Sequence, residues 1–188
     1  MNLPNKLTLS RIIMVPVFVL FFYLTQIPYN YIIAAAVFSL AAITDFLDGY
    51  IARKYNLVTN LGKFLDPIAD KILVSTAFIV MLEAGFFPAI YGGIAISLIL
   101  ARELIISALR TVAAAGGIIV AADKLGKYKA FLQDISIIIL LVAASCDFTV
   151  SGVEIVYTAG LIVFVAAVLM TVVSGVSYII KNRQVFKG

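Results

Sequence analysis

The sequence predicts an all-α, polytopic membrane protein with six transmembrane helices and a short N-terminal interfacial helix. Hydrophobic residues make up 63% of the 188 residues and charged residues only 13%, which is too little polar surface for a soluble domain. The mean hydropathy is +1.12. The apolar residues form six long segments, and the basic residues gather in alternate connections between them. Together these observations are typical of a helical membrane bundle.

The six apolar segments approach the length of about 20 residues that a helix needs to cross the hydrocarbon core. They run over Leu7–Leu24, Tyr29–Ala52, Phe64–Leu82, Ile90–Ala114, Ala130–Ala144 and Ile155–Ile180. Arg11 interrupts the first segment, so we expect its side chain to reach the interface and the preceding residues to form the short interfacial helix. A cleaved signal peptide is the competing interpretation, weakened because no small-residue cleavage site follows Leu24.

The basic residues predict the orientation of the helices. Lys and Arg occur near the N-terminus, between the second and third segments, between the fourth and fifth, and after the sixth, whereas the connections around Gln26, Gly85 and Ser151 contain neither. This pattern predicts a cell-membrane protein with both termini and the active site on the cytoplasmic side. The net charge of +4 is then explained by topology and anionic lipid, and we expect no nucleic-acid partner. No linker or repeat divides residues 1–188, which we interpret as one domain.

The absence of histidine and the presence of a single cysteine limit the possible chemistry. The chain has no histidine and one cysteine, Cys146, which excludes histidine bases, histidine metal sites and an intrachain disulfide. Any bound metal would have oxygen ligands, which favours Mg²⁺, Mn²⁺ or Ca²⁺.

Four aspartates lie in or at the ends of the second and third segments. Asp45 and Asp48 are spaced for one helical face, as are Asp66 and Asp70. Because the connection is short, we expect the two helices to be antiparallel neighbours with opposing acidic faces. Two divalent cations would relieve the repulsion between the carboxylates. The alternative is that these aspartates cap helices or pair with nearby basic residues, namely Arg53, Lys63 and Lys71.

The aspartates belong to a longer motif, Asp-x2-Asp-Gly-x2-Ala-Arg-x8-Gly-x3-Asp-x3-Asp, which spans Asp45–Asp70. This motif resembles the signature of the CDP-alcohol phosphotransferases. The resemblance implies that Asp45, Asp48, Asp66 and Asp70 bind two divalent cations, Mg²⁺ or Mn²⁺, and that Asp70 is the general base. It also implies a CDP-binding set: Asp48, Gly49, Ala52, Arg53 and Gly62. Gly49 and Ala52 would leave room for the nucleotide, and Arg53 offers a planar fork to phosphate oxygens.

Three shorter stretches resemble the family members that use glycerol 3-phosphate as acceptor. They are Asn2–Thr8 with Arg11, Ala101–Glu103 with Arg110, and Lys124–Lys129 followed by Gln133. The resemblance implies transfer of the phosphatidyl group from CDP-diacylglycerol to sn-glycerol 3-phosphate by in-line attack, giving phosphatidylglycerophosphate and CMP. It also implies a homodimer.

The acceptor phosphate needs a cationic pocket, for which the candidate residues are Arg110, Lys124 and Lys127. Plain positive-inside anchoring is the alternative for them. Adjacent Arg102 and Glu103 should point in different directions, each pairing with another helix.

Other functions fit parts of the sequence. Within the same family the acceptor could be inositol phosphate, serine or phosphatidylglycerol. From a different class, the acidic residues could belong to a cation transporter, although such sites lie near the bilayer centre and these aspartates lie toward one face. A six-helix scaffold protein gives no reason for the four aspartates.

Overall fold

The computed structural model describes residues 3–54, 60–116, 124–146 and 152–183. The side chains at positions 3–5, 46, 48–53, 60–67, 70, 115 and 124 lie outside the described part. Six α-helices make up most of this part, which confirms the all-α expectation there. They are α1 Leu3–Tyr23, α2 Asn30–Lys54, α3 Asn60–Glu83, α4 Ala89–Ala115, α5 Lys124–Ala144 and α6 Val153–Lys181.

Each predicted apolar segment lies mainly in one of these helices, but α1, α3 and α5 begin well before their segments. α3 begins at Asn60 rather than Phe64, and α5 at Lys124 rather than Ala130. Hydropathy marks the part of a helix that is apolar. The backbone remains helical beyond that part because lysine and leucine are good helix formers in polar surroundings as well.

The predicted separate N-terminal helix is wrong, because residues Leu3–Tyr23 form a single helix. Pro4 lies in its first turn, where proline is tolerated, and neither Gly nor Pro occurs between Pro4 and Pro16 to end it. The expectation that Arg11 reaches the interface is also wrong. Its side chain is fully buried and pairs with Asp45 on α2, so its charge is stabilised inside the bundle.

One end of the bundle, which we call the turn end, joins α1, α3 and α6. The Tyr23 hydroxyl donates to Glu83 Oε2 at 2.8 Å, linking the last residues of α1 and α3. The Tyr157 hydroxyl, near the start of α6, donates to the carbonyl of Phe86 at 2.8 Å. The C-terminal ends of α1 and α3 therefore lie beside the N-terminal end of α6.

The opposite end, which we call the charged end, is joined by ion pairs. Arg11, in the first half of α1, pairs with Asp45 in the second half of α2. Lys129, near the start of α5, pairs with Glu103 in the second half of α4. Successive helices therefore alternate in direction, as the distribution of basic residues predicts.

The buried face of α1 is a single stripe along the helix. Thr8, Arg11, Val15, Phe18 and Phe22 are all buried, at the three- and four-residue spacing of one helical face. α1 packs closely against α2 and also contacts α3 extensively. One face of the first helix thus supports both helices that carry the aspartate motif.

Three helices are long and apolar enough to cross a membrane when the described residues are searched. They lie within Lys6–Tyr23, Ala89–Ala114 and Val153–Lys181. The apolar part of α2, Asn30–Asp45, is shorter. Asp, Lys and Arg in the rest of α2 and in parts of α3 and α5 lower the apolar character of these helices. The all-helical bundle is therefore that of a membrane protein.

Candidate active site

The aspartate motif occupies the last turns of α2 and the first turns of α3. Positions 45 and 48 are one turn apart in α2, and positions 66 and 70 are one turn apart in α3. Only residues 55–59 separate the two helices, so the end of α2 and the start of α3 are held within chain reach of each other. The side chains of Asp48, Asp66 and Asp70 lie outside the described residues.

Asp45 is the member of the motif whose side chain is described. Arg11 Nη1 lies 2.6 Å from Asp45 Oδ1, and the Asp45 side chain is 43% exposed while that of Arg11 is 0% exposed. The carboxylate is therefore accessible at the charged end and is held from the buried side by a guanidinium. Carboxylate oxygens are the donors that hard divalent cations prefer, so this residue fits the predicted metal site.

The predicted CDP-binding positions follow Asp45 along the motif. Gly49, Ala52 and Arg53 lie in the last two turns of α2, and Gly62 lies in the first turn of α3. Their helical backbone is described but their side chains are not, so their roles remain predictions.

The predicted opposition of the acidic faces of α2 and α3 falls on side chains outside the described residues and stays a prediction. Over the described residues these two helices contact each other at few positions, whereas α1 contacts both. α1 is therefore a third wall of the candidate site. The contribution of α1 to the site was not predicted from the sequence. The position of Arg11 on the same helical face as Thr8, Val15 and Phe18 indicates it.

A second polar cluster joins α4, α5 and α6 at the charged end. Glu103 accepts from Arg102 Nη1 at 3.1 Å and from Lys129 Nζ. Arg102 Nη2 also donates to Ser174 Oγ on α6 at 3.2 Å. Pairing with other helices occurs as expected. The adjacent Arg102 and Glu103 nevertheless also contact each other, because both side chains converge on the space between the three helices.

A cavity of about 20 Å³ connects this cluster to α3. Its volume suits a single water molecule. Its polar lining consists of Lys71, Ser75, Glu103, Lys129 and Gln133. Lys71 directly follows Asp70 in α3, so the cluster lies next to the helix that carries the predicted general base.

The predicted acceptor residues are only partly brought together. Arg110 Nε donates to the Tyr178 hydroxyl at 3.1 Å, and the guanidinium carbon lies 5.5 Å from the centroid of the same ring. Arg110 and Lys127 are both exposed, and within the described residues no hydrogen bond or ion pair joins them. The side chain of Lys124 lies outside the described residues.

Comparison with known proteins assigns the sequence to a family. The family described as CDP-alcohol phosphatidyltransferase matches residues 1–181. The chain belongs to this family. The aspartate motif, which resembles the signature of this family, lies in the last turns of α2 and the first turns of α3.

Individual relatives match this chain over most of its length. A protein of Rickettsia bellii is 42% identical over 98% of this chain and 97% of its own. One of Bacillus subtilis is 40% identical over 99% of this chain and 97% of its own. One of Escherichia coli K12 is 38% identical over 89% of this chain and 88% of its own. All three are named CDP-diacylglycerol–glycerol-3-phosphate 3-phosphatidyltransferase.

Proposed function

We propose that this chain transfers the phosphatidyl group of CDP-diacylglycerol to sn-glycerol 3-phosphate, giving phosphatidylglycerophosphate and CMP. The observation that carries the proposal is the similarity to relatives named for this reaction, at about 40% identity over nearly the full length of both chains. The complete aspartate motif between Asp45 and Asp70 supports it. The chain is then an enzyme of phospholipid biosynthesis whose substrates are a membrane lipid and a small phosphorylated alcohol.

Four carboxylates hold the metal in this proposal. Asp45, Asp48, Asp66 and Asp70 would bind two divalent cations, Mg²⁺ or Mn²⁺, for which their oxygen atoms are suited. When bound, these cations supply charge neutralisation at the diphosphate of the donor and at the departing phosphate of CMP. The exposure of Asp45 at the charged end supports a site that opens toward the membrane interface.

The remaining motif residues bind the nucleotide and move the proton. Gly49, Ala52 and Gly62 leave room for CDP against the helices, and Arg53 donates to its phosphates. A hydroxyl oxygen of glycerol 3-phosphate bonds to the phosphorus that carries the diacylglycerol. The bond from this phosphorus to CMP breaks and CMP leaves with the electron pair, while Asp70 takes the hydroxyl proton.

The acceptor phosphate is bound by cations of α4 and α5. Arg110, Lys124 and Lys127 supply them in this proposal, and a dianionic phosphate favours such charge-assisted contacts. The exposure of Arg110 and Lys127 supports this role, since both side chains are accessible. Arg102 and Lys129 are not assigned to this role because both already pair with Glu103.

All six helices cross the membrane in this proposal, with both termini and the active site on the cytoplasmic side. The alternating helix directions and the basic residues of the charged end support this topology. We further propose a homodimer in the cell membrane, in which the acyl chains of the donor enter from the bilayer and the polar groups meet at the interface.

The test measures CMP release by purified protein in detergent from CDP-diacylglycerol and Mg²⁺. Glycerol 3-phosphate, serine, inositol phosphate and phosphatidylglycerol are supplied as separate acceptors. We expect turnover with glycerol 3-phosphate alone. Asp70→Asn should lower the rate by about 100-fold or more, the usual contribution of general base catalysis. Glu83→Gln, which removes the same charge at the turn end, should keep the wild-type rate.

The other outcomes separate the alternatives. CMP release with a different alcohol alone would contradict the proposed acceptor and leave the family assignment intact. No CMP with any acceptor, from protein that is folded, would contradict the transferase itself and favour a cation transporter.

A further inference from the structure

Arg11 occupies a core position in a stripe that is otherwise apolar apart from Thr8. The residues on either side of it along this face, Thr8 and Val15, are buried, as are Phe18 and Phe22 further on. Arg11 lies eight residues after the start of α1, which is about 12 Å along the helix axis. A charge at such a position in a membrane helix is costly unless a partner stabilises it.

The partner of Arg11 is the first carboxylate of the aspartate motif. The 2.6 Å separation of Arg11 Nη1 and Asp45 Oδ1 is that of a close ion pair. The two partners of this ion pair differ in environment, since the side chain of Arg11 is fully buried and that of Asp45 is 43% exposed. The guanidinium is thus fixed by packing on α1, and the carboxylate faces the opening of the candidate site.

We propose that Arg11 is a positioning residue that fixes the orientation of Asp45 for binding the divalent cation. This inference rests on the proposed function, in which Asp45 is a metal ligand. Outer partners of a metal-ligating carboxylate hold it in the binding orientation, and their loss typically weakens metal affinity by 10–100-fold. α1 thereby becomes part of the metal site although it contributes no ligand.

The direction in which the metal affinity changes when Arg11 is replaced distinguishes positioning from simple charge competition. If Arg11 only competed with the cation for the carboxylate, removing its charge would strengthen metal binding. If Arg11 only linked α1 to α2, its loss would lower stability and leave metal affinity unchanged. Positioning alone makes metal binding weaker when the guanidinium is lost and the fold remains.

The test is Mn²⁺ binding to the purified protein in detergent, followed by electron paramagnetic resonance of the free ion. We expect Arg11→Met to raise the Kd for Mn²⁺ by about 10–100-fold. Arg11→Lys retains the positive charge that pairs with Asp45, so its Kd should rise less than that of Arg11→Met or Arg11→Gln. In the CMP-release assay, Arg11→Lys should need more Mn²⁺ for half-maximal rate while kcat at saturating Mn²⁺ stays near wild type.

Arg102→Met is the matched control, because it also removes an arginine, here partly buried, that pairs with a carboxylate. It should lower the thermal stability and leave the Kd for Mn²⁺ unchanged. Wild-type or tighter Mn²⁺ binding by Arg11→Met, or by Arg11→Gln if Arg11→Met does not fold, would overturn the proposal. Failure of the wild-type protein to bind Mn²⁺ would instead overturn the metal site of the proposed function.

Discussion

Buried charged side chains of the bundle are paired across helices. Arg11 of α1 pairs with Asp45 of α2, and Lys129 of α5 pairs with Glu103 of α4. In hydrocarbon an unpaired charge is expensive, so each pair stabilises a specific contact between two helices. The spacing of the aspartates was readable from the sequence because it is local. The residues that pair with the aspartates could not be predicted from the sequence, because such pairs depend on how the helices pack.

Glu103→Gln tests the pairing at the residue scale. It leaves Lys129, which is only 5% exposed, without its carboxylate. Breaking a buried pair by removing one partner costs about 3 kcal/mol. We expect a loss of this size in the free energy of unfolding, measured by denaturant titration in detergent. Glu154→Gln, an exposed acid in the first turn of α6, should change the free energy little. Equal effects of the two substitutions would contradict the pairing.

At the scale of elements, local sequence signals predicted the apolar parts of the helices well and the bounds of their polar ends poorly. The turn after α3 illustrates a local signal, since Gly85 has a φ of +79°. Its N–H donates to the carbonyl of Leu82 at 3.1 Å, and the Phe86 N–H donates to that of Met81 at 2.9 Å. These two bonds form the glycine-terminated helix end known as the Schellman motif. The start of α5 carries no such signal, because charged residues occur both inside and outside helices.

Gly85→Ala tests this helix end. A Cβ at Gly85 would meet no atom within 4 Å, so the penalty comes only from the left-handed backbone and should be about 1 kcal/mol. We expect this loss in the free energy of unfolding. Gly93 in α4 also has open space around it but lies within the helix, so Gly93→Ala should maintain or raise the stability. The same loss for both variants would rule out the backbone explanation.

At the scale of the whole molecule, the two ends of the bundle differ in charge. Among the described residues, the connections at the turn end, 24–29, 84–88, 145–146 and 152, contain no Lys or Arg. The helix order and directions were predictable from this alternation. The position of α1 against both α2 and α3 was not, because packing partners are set by the shapes of whole helix faces and not by charge.

Cys146 provides a test of the proposed orientation. It is exposed and follows α5 at the turn end. If both termini are cytoplasmic, a membrane-impermeant maleimide should label Cys146 in intact spheroplasts. A Cys146→Ser/Arg183→Cys variant, with its thiol after α6, should be labelled only after permeabilisation. The reverse pattern would invert the topology.

The central claim is the transfer of a phosphatidyl group to glycerol 3-phosphate. The most direct measurement is mass spectrometry of the lipid made by purified protein from CDP-diacylglycerol and ¹³C-labelled glycerol 3-phosphate. We expect a labelled lipid that contains both acyl chains and two phosphates, formed in equal amount to CMP. Formation of CMP with unlabelled phosphatidic acid as the only lipid product would show hydrolysis instead of transfer and would contradict the account.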